Sequence, residues 1–203
     1  ANHIVDITLG YSANSKVSSS ANVQNAKKIN IYNQMAQVLV GHDANGNIRE
    51  FDEDGDLTEG SKIQECFFLN FSRLLTKDEI KKGSFSLVLG TNNTHAVAHQ
   101  KQITITDKNA QNDYRVNSPA GDYAILYADS SKGGDHLADD SGNQKVGLIY
   151  YQAGVCVITG AVFHNDAGRS IGIIDEDDVS GDSKMLHFDW GDGDADGADN
   201  TRF

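Results

Sequence analysis

The chain has almost no proline and little cysteine, methionine or tryptophan. Its 203 residues include one proline, two cysteines, two methionines and one tryptophan. The scarcity of proline excludes a proline-rich linker, and two cysteines are too few for the disulfide framework of a small secreted domain. Cys66 and Cys156 both lie within apolar stretches. We therefore expect buried free thiols and folding in a reducing cytoplasm.

Basic residues are scarce relative to acidic ones. The chain contains 17 Lys and Arg against 29 Asp and Glu, a formal net charge of −12. Binding to nucleic-acid phosphates or to anionic membranes relies on clustered Lys and Arg, so neither partner is expected. The longest apolar run, over residues 146–163, is interrupted by Gln152 and three glycines. We therefore interpret this run as strands and not as a membrane-spanning helix.

The residues that are abundant indicate a mainly β domain. Phe85, Leu87 and Leu89 recur at every second position, which is typical of a strand. Within residues 146–163, the segment Gln152-Ala153-Gly154 fits a hairpin loop that has its glycine in the left-handed conformation. Both arms of this hairpin are apolar on both faces, which predicts a central position in a β-sandwich. The predicted core positions are Phe67, Phe68, Phe71, Leu148, Tyr150, Val155 and Val157.

The N-terminal part of the chain has a different pattern. Residues 11–28 are polar, rich in Ser and Asn and without periodicity, which predicts an extended polar arm. Apolar residues then recur at helical spacing and predict one helix over 26–40, although β-branched residues near its end leave a strand possible. The predicted fold is an antiparallel, β-sandwich-like domain with one N-terminal helix and an extended polar N-terminal arm. Its predicted divisions are 1–60 (arm, helix and hairpin), 61–190 (β-rich core) and 191–203 (acidic tail).

Two short acidic stretches predict tight turns, because Asn-Gly and Asp-Gly readily adopt positive φ angles. The first covers residues 43–47 and the second residues 52–56, with a short, exposed strand predicted over 48–51 between them. Asp52, Asp54 and Asp56 alternate as the first ligands of a calcium loop do. Their glycine, Gly55, comes too early for the standard loop, so a hairpin turn is the preferred interpretation.

A second acidic alternation near the C-terminus is the candidate metal site of the sequence. Asp192, Asp194 and Asp196 match the opening of a calcium loop, which places oxygen atoms at alternate positions. Such a loop closes with a bidentate Glu at its twelfth position, which here is Phe203. These aspartates are weak candidates for calcium ligands, and a solvated acidic tail is the alternative. No other cofactor is expected.

Two further motifs match known catalytic or metal sites, but their flanking residues do not support either site. Ser170 lies in a Gly-x-Ser-x-Gly sequence, but a nucleophile elbow needs a strand before the serine and a helix after it. The flanking residues predict a turn and an extended segment instead. His95 and His99 could align on a helix or share a strand face, and no nearby Cys or carboxylate completes a zinc site. The sequence therefore does not predict an enzyme.

Three blocks of this sequence, in this order, resemble structural proteins of tailed bacteriophages. They are Met35-Ala36-Gln37-Val38-Leu39-Val40-Gly41, the block from Phe68 to Phe85, and Val146-Gly147-Leu148-Ile149-Tyr150-Tyr151-Gln152-Ala153-Gly154-Val155. The chain is most similar to virion proteins of T4-like marine phages, over about residues 30–163.

The resemblance implies a non-enzymatic component of the virion, made in the host cytoplasm and assembled in multiple copies. Its expected partners are copies of itself and other virion structural proteins, in the baseplate, neck, tail or capsid surface. The alternative, motivated by the acidic tail, is a calcium-dependent binding or adhesion module.

Overall fold

The computed structural model describes residues 5–15, 18, 23–57, 62–72, 79–90, 102–129, 144–165 and 174–175. These residues form a mainly β, antiparallel fold with a single α-helix, as predicted. The strands are β1 (Asp6–Tyr11), β2 (Phe51–Asp52), β3 (Lys62–Ile63), β4 (Glu65–Asn70), β5 (Ser86–Gly90), β6 (Gln102–Thr106), β7 (Tyr114–Ser118), β8 (Gly121–Asp129), β9 (Gln144–Tyr150), β10 (Val155–Thr159), β11 (His164–Asn165) and β12 (Ile174–Asp175). The helix is α1 (Val23–Leu39), and a 3₁₀ turn covers Gly160–Phe163.

Eight of these strands form one antiparallel sheet. Its order is β1-β4-β10-β9-β8-β6-β5. β7 pairs with the first part of β8, on the same side of β8 as β6. The two short pairs, β2 with β3 and β11 with β12, lie outside this sheet. The strands β4, β10 and β9 are central, and all five residues of β10 are buried.

The central hairpin forms where it was predicted, but its loop also includes Tyr151 and is therefore one residue longer than the predicted three-residue loop Gln152-Ala153-Gly154. β9 and β10 pair from Tyr150 opposite Val155 to Gly147 opposite Ile158. The loop between them closes with Gly154 at φ +64°, and the Gly154 amide donates to the Tyr150 carbonyl over 2.9 Å. A residue with a side chain rarely adopts this φ, so a glycine is favoured at this corner.

The helix covers one face of the sheet. Tyr32, Ala36 and Leu39 of α1 belong to the same buried cluster as Phe68 of β4 and Leu148 of β9. The helix approaches closely because Gly10 of β1 has no side chain. A Cβ atom there would lie 2.8 Å from the Tyr32 backbone nitrogen.

The opposite face of the sheet encloses a second cluster. Leu9 of β1 belongs to the same cluster as Ile103 and Ile105 of β6, although these strands lie towards opposite ends of the strand order. The sheet therefore curls over this face. Eight of the described strands form one curled sheet and the other four form two short pairs, so the two facing sheets of the predicted sandwich are not confirmed.

The N-terminal segment differs from its prediction. The extended arm predicted over 11–28 is corrected at both ends, because Tyr11 completes β1 and α1 begins at Val23 instead of residue 26. Between them, Ser12 and Ser15 are buried and donate to the carboxylates of Glu50 and Glu65. Through β1 and α1, this segment contributes to the same sheet and core as the strands that follow residue 61.

Candidate functional site

Three strands of the curled sheet have one side without a strand partner among the described residues. They are β1 and β5 at the ends of the strand order, and β7 beside β8. Each carries a large, exposed apolar side chain. Ile7 on β1 is 61% exposed, Val88 on β5 is 52% exposed and Val116 on β7 is 68% exposed. An unpaired strand edge presents backbone donors and acceptors that another strand can pair with.

The three edges differ in the features that oppose strand addition. β1 begins with Asp6, and β7 contains Arg115 and a register shift between Arg115 and Ser118. Charged side chains and irregular register are known to protect edge strands from pairing with other chains. β5 has neither feature, because its five residues are Ser-Leu-Val-Leu-Gly and each has a directly opposed partner on β6. The edge of β5 is therefore the least protected of the three.

The two faces of β5 are also different. Leu87 and Leu89 pack against the buried cluster on the concave face of the sheet and are partly exposed. Phe85, just before the strand, makes an edge-to-face contact with Phe71 at 6.0 Å between ring centroids. Val88 points to the other face and is exposed. Apolar surface is thus available on both sides of this strand.

A buried carboxylate fixes the segment that leads into β5. Asp107 accepts hydrogen bonds from the backbone amides of Gly83 at 2.7 Å and Phe85 at 2.9 Å. It also accepts a bond from the Tyr151 hydroxyl at 2.8 Å. Burial raises the pKa of Tyr151, so its hydroxyl remains a donor. This single side chain holds the start of β5 against the central hairpin.

Lys82 adds a second contact from the same segment. Its ammonium group lies 2.9 Å from the Asp122 carboxylate and 4.9 Å and 5.3 Å from the ring centroids of Tyr114 and Tyr151. The hydrogen bond to Asp122 raises the pKa of Lys82, which keeps it charged. Because both this cation and Asp107 are engaged within the fold, they serve to position β5.

The acidic turn at Asp52–Asp56 brings three carboxylates together. One oxygen from each of Asp52, Asp54 and Asp56 lies within 4.8 Å of the others. The turn itself forms as predicted, with Gly55 at φ +69° and a hydrogen bond of 3.2 Å from its amide to the Asp52 carbonyl. The short, exposed strand predicted over 48–51 is wrong. The strand here is β2 (Phe51–Asp52), Ile48 forms only an isolated bridge with His42, and Phe51 is fully buried.

A protein cation already occupies part of this cluster. Lys62 lies directly opposite Asp52 in the β2–β3 pair, and its ammonium group contacts the Asp52 carboxylate. Burial raises the pKa of Asp52, whereas the hydrogen bond with Asp52 lowers the pKa of Asp54. The turn therefore combines a fully buried carboxyl group with more exposed ones, and Lys62 offsets part of its negative charge.

Both cysteines are buried free thiols, as predicted. Cys66 belongs to the cluster beneath α1, and Cys156 belongs to the cluster on the concave face. Burial raises the pKa of both thiols, which suppresses the reactive thiolate. Since they face opposite sides of the sheet, they do not form a joint redox or metal site.

The predicted core is largely confirmed. Phe67, Phe68, Leu148, Tyr150, Val155 and Val157 are buried, and Phe71 is partly buried. The remaining candidate site residues lie outside the described residues: Ser170, His95, His99, Asp192, Asp194 and Asp196. Their predicted roles stay predictions.

The features that the sequence analysis missed are the edge of β5, which has no strand partner among the described residues, and the Asp107 contacts. The charge-free alternation of residues 84–90 was the only sequence signal for the edge.

In the described part of the chain, no helix has the length and apolar character needed to cross a membrane. No protein-family model, no curated protein and no solved structure matches this chain.

Proposed function

We propose that this chain is a non-enzymatic structural component of a tailed bacteriophage virion. It is made in the host cytoplasm and is incorporated into the particle through contacts with copies of itself and with other virion proteins. The resemblance of the blocks around Val38, Phe71 and Tyr150 to phage structural proteins motivates the assignment to a virion. Its place within the particle is the baseplate, neck, tail or capsid surface.

The observation that carries the proposal is a set of three strand edges that have exposed apolar side chains and no strand partner within the described part of the chain. Ile7, Val88 and Val116 each lie on a different edge of the same sheet. Exposed apolar groups next to unpaired backbone favour contact with another chain, because such contact removes apolar surface from water and pairs the backbone. A sheet that has a buried cluster on each face and several such edges is suited to join neighbouring subunits.

The proposal is tested on purified particles of the phage that encodes the chain. Quantitative mass spectrometry should find the chain at a fixed ratio to the other virion proteins, and the ratio should survive a high-salt wash. A host protein of similar abundance in the lysate serves as the control for contamination. Absence from particles, or a ratio that falls with each purification step as the control does, would reject the virion assignment.

Calcium-dependent binding is the second candidate function, and the convergence of Asp52, Asp54 and Asp56 favours it. Carboxylate oxygens are the preferred ligands of Ca²⁺, but the ion must compete with the Lys62 ammonium at Asp52. We therefore expect weak binding, with a dissociation constant of about 10⁻⁴–10⁻³ M. This value lies in the range of extracellular calcium modules.

Calorimetric titration of the full chain with calcium chloride tests this second function. Asp54→Asn should abolish the heat of binding if the turn is the site, whereas Asp194→Asn should abolish it if the C-terminal aspartates are the site. Lys62→Met should tighten binding at the turn because it removes the competing cation. No heat at millimolar calcium would dismiss both sites.

A further inference from the structure

We infer that the outer edge of β5, which has no strand partner among the described residues, is a self-association surface, at which β5 of a second copy of this chain pairs antiparallel across a two-fold axis. This inference rests on the proposed assembly function and names one of its contacts. It follows from three properties of Ser86–Gly90: the absence of charge, a sequence that complements itself, and continuity with the core.

The absence of charge distinguishes this edge from the other two strand edges of a strongly acidic chain. Two copies with a net charge of −12 each repel one another, so they associate only where local charge is low. No Asp, Glu, Lys or Arg occurs from Gly83 to Thr94. On the other two edges, Asp6 and Arg115 would oppose strand addition. The edge of β5 is thus the one that two like-charged copies can share at the lowest electrostatic cost.

The sequence of β5 is self-complementary in antiparallel register. With the two-fold axis at Val88, Val88 faces its own copy and Leu87 faces Leu89 of the other copy. Directly opposed residues of antiparallel strands lie on the same face, so both leucine pairs fall on the concave face and the valine pair on the other. An isologous contact of this kind closes as a dimer and leaves no open β5 edge.

The leucine pairs would extend the existing core. Leu87 and Leu89 lie opposite Ile105 and Ile103 of β6, which are fully buried, and themselves remain partly exposed. A strand added beside β5 would cover this remaining apolar surface. The Asp107 hydrogen bonds to Gly83 and Phe85 hold the start of β5 in place, so little ordering is needed before pairing.

The predicted dimer is weak. Stable protein interfaces usually bury more than about 1,000 Å², and one pair of five-residue strands covers less than that. In a particle, other subunit contacts hold the two copies together and raise their effective concentration.

Sedimentation velocity of the full chain, from about 10 to 500 µM, tests the inference in a range suited to weak association. The wild-type chain should convert from monomer to dimer as its concentration rises. Val88→Lys places two cations opposite each other on the axis and should abolish the dimer. Ile7→Lys and Val116→Lys, which alter equally exposed valine or isoleucine side chains on the other edges, should leave the dimer unchanged. Unchanged melting temperatures confirm that all three variants fold.

A cysteine variant tests the position of the axis. Val88→Cys should form an intermolecular disulfide under mild oxidation, because the two sulfur atoms meet on the axis, and Val116→Cys should not. Cys66 and Cys156 are buried and do not interfere. A wild-type chain that is monomeric throughout, or a dimer that survives Val88→Lys, overturns the inference. A monomeric chain that is nevertheless present in particles overturns the inference alone, whereas a dimer absent from particles overturns the virion assignment alone.

Discussion

Val157 and Val88 are the same residue type in two strands of one sheet, and the sheet gives them different roles. Val157 on the central strand β10 is fully buried between β4 and β9, whereas Val88 on the end strand β5 is 52% exposed. The central position contributes to folding because its side chain is completely removed from water. The edge position contributes less to folding because about half of the Val88 side chain stays in water. Location in the sheet therefore decides how strongly an apolar residue stabilises the fold.

Glycine substitutions give the largest expected contrast between the centre and the surface. A Cβ atom at Gly147 of β9 would lie 2.0 Å from the Val157 carbonyl oxygen, which is backbone and cannot rotate away. We expect Gly147→Ala to lower the free energy of unfolding by at least about 3 kcal/mol or to prevent folding. Gly46 in the turn at 43–47 has φ +85°, and apart from its two chain neighbours no described residue has an atom within 4 Å of a Cβ placed there.

The matched variant Gly46→Ala should therefore lower the free energy of unfolding by only about 1 kcal/mol, the cost of a left-handed residue. Urea unfolding followed by circular dichroism measures both values. Equal losses would show that the close packing of β9 against β10 is not what requires Gly147.

Truncation of the two valines tests the comparison directly. Val157→Ala removes two methyl groups from a fully buried position and should lower the free energy of unfolding by about 2 kcal/mol. Val88→Ala should change it by less than about 0.5 kcal/mol, because its side chain is already hydrated. The measurement is urea unfolding at a chain concentration below that at which the proposed dimer would form. A large loss for Val88→Ala would mean that this residue belongs to the core of the monomer.

Two neighbouring tyrosines in the central hairpin should respond oppositely to loss of their hydroxyl groups. Tyr151→Phe removes a donor to the buried Asp107 and should lower the free energy of unfolding by about 1–2 kcal/mol. The Tyr150 hydroxyl is buried and has no hydrogen-bond partner among the residues that the structure describes, so Tyr150→Phe should be neutral or stabilise by up to about 1 kcal/mol. Thermal unfolding of the two variants in parallel checks this, and destabilisation by Tyr150→Phe would reveal a partner for that hydroxyl.

The smallest expected effect concerns an exposed carboxylate. The backbone amide of Asn47 donates to Asp43 over 2.8 Å, and this bond is the main cause of the lowered pKa of Asp43. A lowered pKa in the folded state stabilises the fold above the unfolded value of about 3.9, and the gain is lost as the pH falls through the folded value. Asp43→Asn should therefore reduce the melting temperature slightly at pH 7 and leave it unchanged near pH 2. If the melting temperatures of the wild-type chain and of Asp43→Asn differ by the same amount at every pH from 2 to 7, the lowered pKa of Asp43 does not stabilise the fold.

The sequence predicts those features of this fold that depend on neighbouring residues. The central hairpin follows from two apolar arms and Gly154, and the turn at Asp52–Asp56 follows from its Asp-Gly pair. The helix follows from the spacing of Ile31, Met35 and Leu39. In each case the residues that specify the structure lie within one turn or one hairpin.

Features that depend on distant residues were not predictable. Ser12 and Ser15 are buried because Glu50 and Glu65, more than 30 residues away, accept their hydrogen bonds. A Ser- and Asn-rich segment reads as a solvated arm unless those partners are known. Asp107 likewise looks like an ordinary turn residue, because its donors lie 22 to 44 residues away. The free edge of β5 is a property of the strand order, which no local pattern specifies.

Cys66 and Cys156 are buried on opposite faces of the sheet, so the rate at which each thiol is labelled measures how often its own face opens. A thiol reagent can label Cys66 only when α1 lifts from the sheet or the whole chain unfolds, and Cys156 only when the curled face opens or the whole chain unfolds. If the two labelling rates coincide, the sheet and its helix separate in one cooperative event. If the two rates differ, the thiol that is labelled faster identifies the face of the sheet that opens more readily.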